Sequence, residues 1–119
     1  WGTGKPLREF MHVDDLAEAS IFSMNLIEKK GDDFFKEIPY FLNVGTGEDI
    51  SIKNLVILIS DIVGFKGSFV FDKTKPDGTP KKLLDSSKIK NLGWKPKINL
   101  EDGIRKTLKE FEDKGSKLL

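Results

Sequence analysis

The chain has 119 residues, enough for one modest domain, and its 20 Lys+Arg against 19 Asp+Glu leave a formal net charge of +1. That balance excludes a charged disordered tail and argues against a dedicated nucleic-acid surface, and no apolar run approaches the ~20 residues of a membrane helix. The sequence holds no Cys and one His, which excludes disulfides, thiolate catalysis and Cys-bound zinc and leaves little for a His metal site.

The first residue is Trp1, and no charged segment followed by an apolar one marks a signal peptide. The chain therefore reads as a fragment of a longer protein, with residues 1–119 forming one lobe of it. Lacking Cys, it fits a cytoplasmic setting. Residues 7–13 (LREFMHV) alternate roughly between apolar and polar, as a half-buried strand does. A helix follows, with Asp14 or Asp15 as cap and Glu18 three residues beyond Asp15, a capping-box-like spacing. Its apolar residues, from Leu16 to Ile27, cover most of the surface, so it expects cover on more than one side. Glu28 to Glu37 reads as a charged surface loop with Phe34 and Phe35 tucked back.

Residues 39–44 (PYFLNV) read as a strand buried on both faces, broken by Gly45 and Gly47. Ser51 caps the next helix, whose Ile52, Leu55, Val56, Ile59, Ile62 and Val63 form one stripe and which Gly64 closes. Residues 68–72 (SFVFD) predict a short strand, Lys73 to Pro80 a polar loop, and Leu83 and Leu84 a short extended piece. Asp85 to Leu92 predicts a short helix ending at Gly93. Asn99 caps a last helix with Leu100, Ile104, Leu108 and Phe111 on one face. Alternating strands and helices give a mixed α/β class.

Two G-T-G triplets invite a phosphate-loop reading. The third glycine of G-x-G-x-x-G is Leu7 in the first and Ile50 in the second, so neither is a dinucleotide loop; both serve as tight turns. His12 is read as a structural histidine satisfied by a neighbouring backbone group rather than as a general base. Tyr40 has Val44 four residues on, so no Tyr-x-x-x-Lys pair exists. Asp14 and Asp15 read as helix-start carboxylates that favour the dipole rather than as metal ligands.

The polar residues that stand out are Arg8, whose fork suits a phosphate, near the stacking face of Trp1, and the loop from Lys75 to Lys82. That loop joins two prolines and three lysines to Asp77, a composition suited to an anionic, hydroxyl-rich ligand, though a solvated surface loop has the same composition.

The segments WGTGKPLREFMHVDDLAEA, NVGTGEDISIKNL and FDKTKPDGTPKKLLDSSKIKNLGWKP resemble the C-terminal part of the GDP-fucose synthase family, a branch of the extended short-chain dehydrogenase/reductase group. R-E-F-x-H-V-D-D-L-A and L-G-W-x-P are shared across nucleotide-sugar epimerases and dehydratases; P-D-G-T-P-x-K-L-L-D is the more specific segment. The resemblance implies the substrate-binding lobe of a Rossmann-type nucleotide-sugar enzyme, without the cofactor domain. The parent it implies is a cytoplasmic homodimer that uses NADPH to epimerise and reduce GDP-4-keto-6-deoxy-D-mannose. Its catalytic residues and glycine fingerprint would lie upstream, leaving no catalytic, cofactor or metal residue here. By the resemblance Trp1, Arg8, Asp77 and Lys82 bind substrate, and Lys75 is a single-point version of an Arg that related epimerases use on the diphosphate. The expected partners are a GDP-sugar and a missing N-terminal Rossmann domain, with no nucleic acid and no membrane. Two other readings stay open: the same region of another nucleotide-sugar epimerase or dehydratase, or a stand-alone nucleotide-sugar-binding module. The first helix, apolar nearly all round, and the 39–44 strand, buried on both faces, both expect the missing domain as partner; without it the lobe is expected to oligomerise, bind a copy of itself or expose an apolar patch.

Overall fold

Two ordering principles divide the molecule: directional hydrogen bonds hold a small sheet, and apolar burial holds a layer of helices. The computed structural model of the chain describes residues 1–31, 33–37 and 41–115. The elements run β1 (Leu7–Arg8), α1 (Val13–Lys30), α2 (Asp33–Glu37), β2 (Ile50–Ser51), α3 (Ile52–Val63), β3 (Lys81–Lys82), α4 (Ser87–Asn91) and α5 (Leu100–Gly115). In the sheet β1 is central. It pairs antiparallel with β2, Arg8 opposite Ile50, and parallel with β3, Arg8 opposite Lys82.

The predicted strand over 7–13 is thus paired only at Leu7 and Arg8. His12 leaves it to become the N-cap of α1, its Nδ1 accepting from Asp14 N at 3.2 Å, which satisfies a donor that the helix start leaves open. This bears out a structural His12 but corrects the cap expected at Asp14 or Asp15. Asp14 instead pairs with Lys106 of α5. Asp15 is buried and receives the backbone N–H of Lys97 (3.1 and 3.2 Å) and of Ile98 (3.0 Å). Glu18 is no capping-box partner either; it pairs with Lys97 Nζ at 2.6 Å. Acid residues of the first two helical turns thus tie α1 to α5 and to the segment just before it.

The core is small. Ala19 of α1, Ile89 of α4 and Trp94 are buried together, with Met11, Phe22, Leu42 and Val44 half-buried around them. Ile89 is fully buried, a contribution of roughly 2–3 kcal/mol by transfer alone. Along α1, residues 15, 19 and 22 face this core. The opposite face stays open: Val13 is 69% exposed, Leu16 47%, Ile21 60% and Met24 69%. The apolar patch expected of the first helix is therefore present. A second apolar surface, an open groove of about 770 Å³, runs between α3 and α5 over Leu55, Ile59, Ile104 and Phe111.

Ser51 and Gly64 cap α3 as expected: Ser51 Oγ accepts from Asn54 N at 3.1 Å, and Gly64 adopts φ 68°. Asn99 Oδ1 accepts from Asp102 N at 2.9 Å and starts α5. Between α1 and α3 the expectations fare less well. The charged loop holds α2, with Phe34 buried, while the side chain of Phe35 lies outside the described residues. Residues 39 and 40 of the predicted strand also lie outside them, and residues 41–44 are unpaired, with Phe41 67% exposed. A strand needs a partner at its edge, and none of the three two-residue strands among the described residues pairs with this segment, although Leu42 and Val44 pack on the core.

Residues 68–72 are not a strand. Asp72 folds the chain back, its Oδ1 accepting from Thr74 N (3.0 Å) and Thr74 Oγ1 (2.6 Å). The extended piece expected at Leu83 and Leu84 pairs two residues earlier, at Lys81 and Lys82, where Leu7 N donates to Pro80 O at 2.8 Å. Among the described residues no helix is long and apolar enough to cross a membrane, and no three acidic or His side chains gather to hold a metal ion.

Candidate functional site

The residues singled out in the sequence meet along the loop that leads into β3. Its first anchor is the turn Gly2–Gly4, where both glycines take positive φ, 72° and 74°. Gly2 N donates to Asp72 O at 2.8 Å. Asp77 accepts from Thr3 N at 2.7 Å and from Thr3 Oγ1 at 2.6 Å. A Cβ on Gly2 would lie 2.1 Å from Asp77 Oδ1, and one on Gly4 2.4 Å from the Phe71 ring. Turn and loop are in contact at a distance that only glycine allows. The hydroxyl of Thr3, then its backbone N–H, hold the Asp77 carboxyl below the ordinary carboxylate value of 3.8.

The aromatic and cationic groups surround this anchor. Trp1 is 86% exposed and carries the Lys75 ammonium 5.8 Å above its ring, a cation–π contact. Arg8 Nη1 donates to Leu7 O and Thr79 O, each at 2.7 Å, which turns the guanidinium onto the loop. Its Nη2 passes the backbone at Gly78, where a Cβ would sit 3.0 Å away. Lys82 stands beside Arg8 as its register partner on β3, which is exposed. Lys81, its neighbour, is paired with Asp49 at 3.2 Å. Among the described residues Arg8, Lys75 and Lys82 have no carboxylate partner.

The site thus has two parts along the loop that leads into β3: Trp1, Lys75 and Asp77 around the first turn, and Arg8 with Lys82 at the strand pair. Two carbonyls already orient the Arg8 fork while its remaining N–H groups are left for an anion, an arrangement that suits a phosphate or diphosphate. What the structure shows of Asp77 is a role that composition did not suggest: both its oxygens anchor the loop through Thr3. Sequence reasoning missed Thr3, Thr79 and Glu9. No local signal marks Glu9: β1 ends at Arg8, and the donors that Glu9 meets lie far along the chain at Gly47 and Leu84.

Neither G-T-G turn fits the pyrophosphate of NADPH. The backbone of the first is closed over by Asp77 and Phe71. In the second, Glu9 takes the N–H of Gly47 at 2.7 Å and a Cβ on Gly47 would meet Lys90 Nζ at 2.5 Å. The turn amides that would cradle phosphates are spent inside the fold.

A profile of the NAD dependent epimerase/dehydratase family matches residues 1–35. A probable GDP-L-fucose synthase 1 of Oryza sativa subsp. japonica is 51% identical over 93% of this chain and 31% of its own length. The GDP-L-fucose synthase of Escherichia coli (strain K12) is 47% identical over 93% of this chain and 35% of its own. Among solved structures, a GDP-6-OMe-4-keto-L-xylo-heptose reductase from C. jejuni superposes with a TM-score of 0.83 at 44% identity, covering 96% of this chain and 33% of that one. A GDP-mannoheptose C4 reductase from Campylobacter jejuni with NADP bound gives 0.77 at 44% identity, covering 94% and 33%. The chain spans about a third of the length of the curated relatives it matches. Nine-tenths of this mixed α/β chain is therefore homologous to a third-length part of enzymes named GDP-L-fucose synthase, and its fold is that of a portion of Rossmann-type nucleotide-sugar reductases and epimerases.

Proposed function

We propose that residues 1–119 form the substrate-binding lobe of an NADPH-dependent epimerase and reductase that converts GDP-4-keto-6-deoxy-D-mannose to GDP-L-fucose. The observation that carries this reading is the pairing of Arg8 with Lys82, two cations with no carboxylate partner among the described residues, within a chain 47–51% identical to GDP-L-fucose synthases. Arg8, Lys82 and Lys75 take the diphosphate, the Trp1 face packs on the nucleotide-sugar, and Asp77 holds the loop and faces the sugar hydroxyls. Binding the remote diphosphate positions the ketosugar against reacting groups supplied by the rest of the enzyme. The lobe supplies no catalytic, cofactor-binding or metal-binding residue. NADPH is held by a Rossmann domain outside this chain, and the open face of α1 packs there. The assembled enzyme is a cytoplasmic homodimer.

Titration of the chain with GDP, UDP and dTDP tests the reading. GDP binding tighter than the pyrimidine diphosphates, weakened by Arg8→Ala and Lys82→Ala, is the expected result. Equal binding of all three favours the second reading, another nucleotide-sugar epimerase or reductase; no binding removes both. In the longer enzyme the same two substitutions raise KM and leave kcat largely intact.

A further inference from the structure

Glu9 follows the central strand at the point where all three strands meet their loops. Its Oε1 accepts from Gly47 N at 2.7 Å and from Thr46 Oγ1 at 3.2 Å, and its Oε2 accepts from Leu84 N at 3.1 Å. Gly47 lies just before β2 and Leu84 just after β3, so one carboxylate bonds the chain on both sides of β1. The strands themselves give only two residue pairs on each side. Ladders that short specify register weakly, and a slip of one residue would turn Arg8 and Lys82 to opposite faces.

The grip is firm from two further directions. Lys90 Nζ donates to Thr46 O at 2.8 Å, and the same peptide group gives its N–H, that of Gly47, to Glu9. One peptide is thus clamped between an ammonium and a carboxylate, each on the end of matching polarity. On the other side the carboxylate lies close over Gly45, where a Cβ would come within 2.6 Å of Glu9 Oε1, so the position it occupies is open only beside a glycine.

We propose that Glu9 is a positioning residue: its carboxylate fixes the register of β1 between β2 and β3 and so holds Arg8 beside Lys82 in the anion site. This rests on the reading that this edge binds a nucleoside diphosphate. Charge and position make opposite predictions here. Removing a carboxylate next to an anion site strengthens anion binding if only Coulomb attraction matters. It weakens binding if Glu9 holds the cations in place.

The experiment is GDP titration calorimetry on the chain and its Glu9→Ala, Glu9→Gln and Gly45→Ala variants, with amide hydrogen exchange at Gly47 and Leu84. Glu9→Ala is expected to weaken GDP binding by about ten-fold or more and to speed exchange at both amides. Glu9→Gln, which keeps one carbonyl acceptor, recovers part of the affinity. Gly45→Ala displaces the carboxylate without changing any charge and gives the same direction of effect. If Glu9→Ala fails to fold, these two variants carry the comparison. GDP binding unchanged or tightened in the folded variants overturns the positioning role and leaves the nucleotide reading intact. Absence of GDP binding by the unsubstituted chain overturns the nucleotide reading, and this proposal with it.

Discussion

The sheet edge and the helix layer of this molecule are built by different physics. At the sheet edge almost nothing apolar is buried; order comes from charged side chains bonded to backbone, with Arg8 on Thr79 O, Asp77 on Thr3 N and Glu9 on Gly47 N and Leu84 N. In the helix layer order comes from the burial of Ala19, Ile89 and Trp94, and one whole face of α1 is left open. Hydrogen bonds fix direction to fractions of an ångström and add little net stability, whereas burial adds stability with little direction. The difference teaches that ligand affinity and folding stability are separable here, and substitutions in the two regions are expected to move different observables.

The largest effect is expected in the helix layer. Ile89→Ala opens a cavity in a core with few other buried residues and costs about 3–4 kcal/mol in urea unfolding, while the folded fraction keeps its GDP affinity. Loss of GDP affinity along with stability in that variant would break the comparison. Asp15→Ala comes next. It leaves the N–H groups of Lys97 and Ile98 unpaired inside the protein, at a cost of about 2–3 kcal/mol by the same measurement.

Arg8→Ala reverses the pattern: GDP affinity falls by roughly ten-fold or more, read by calorimetry, with a stability change within about 1 kcal/mol. The smallest effect concerns Asp77. Its folded carboxyl titrates below the ordinary 3.8 because Thr3 donates to it, so its tie contributes fully above that value. The contribution is lost as pH falls through the lowered folded value. The Thr3 amide resonance, followed by NMR from pH 6 downward, is expected to report this loss, and Asp77→Asn is expected to abolish that pH dependence.

Much of the fold was legible where local chemistry decides it. Ser51, Gly64 and Asn99 mark helix ends through bonds they make within a few residues. The strands were not, because strand formation depends on partners. Residues 7–13 alternate over seven positions, yet only Leu7 and Arg8 find neighbours. Residues 41–44 have strand composition and no paired edge. At the candidate site, Trp1, Arg8, Lys75, Asp77 and Lys82 were legible as residue types suited to a phosphate-bearing sugar, and the structure gathers them around the loop that leads into β3. What the sequence hid was the support: Thr3 under Asp77 acts across 74 positions and Glu9 beneath Arg8 across 37 or more, a separation no local pattern encodes.

The central claim is that Arg8 and Lys82 read a diphosphate. It is tested most directly by comparing GDP with GMP in calorimetric titrations of the chain and of its Arg8→Ala variant. GDP is expected to bind more tightly than GMP, and Arg8→Ala is expected to remove most of that difference. Equal affinity for GDP and GMP, or a difference that survives Arg8→Ala, would contradict it.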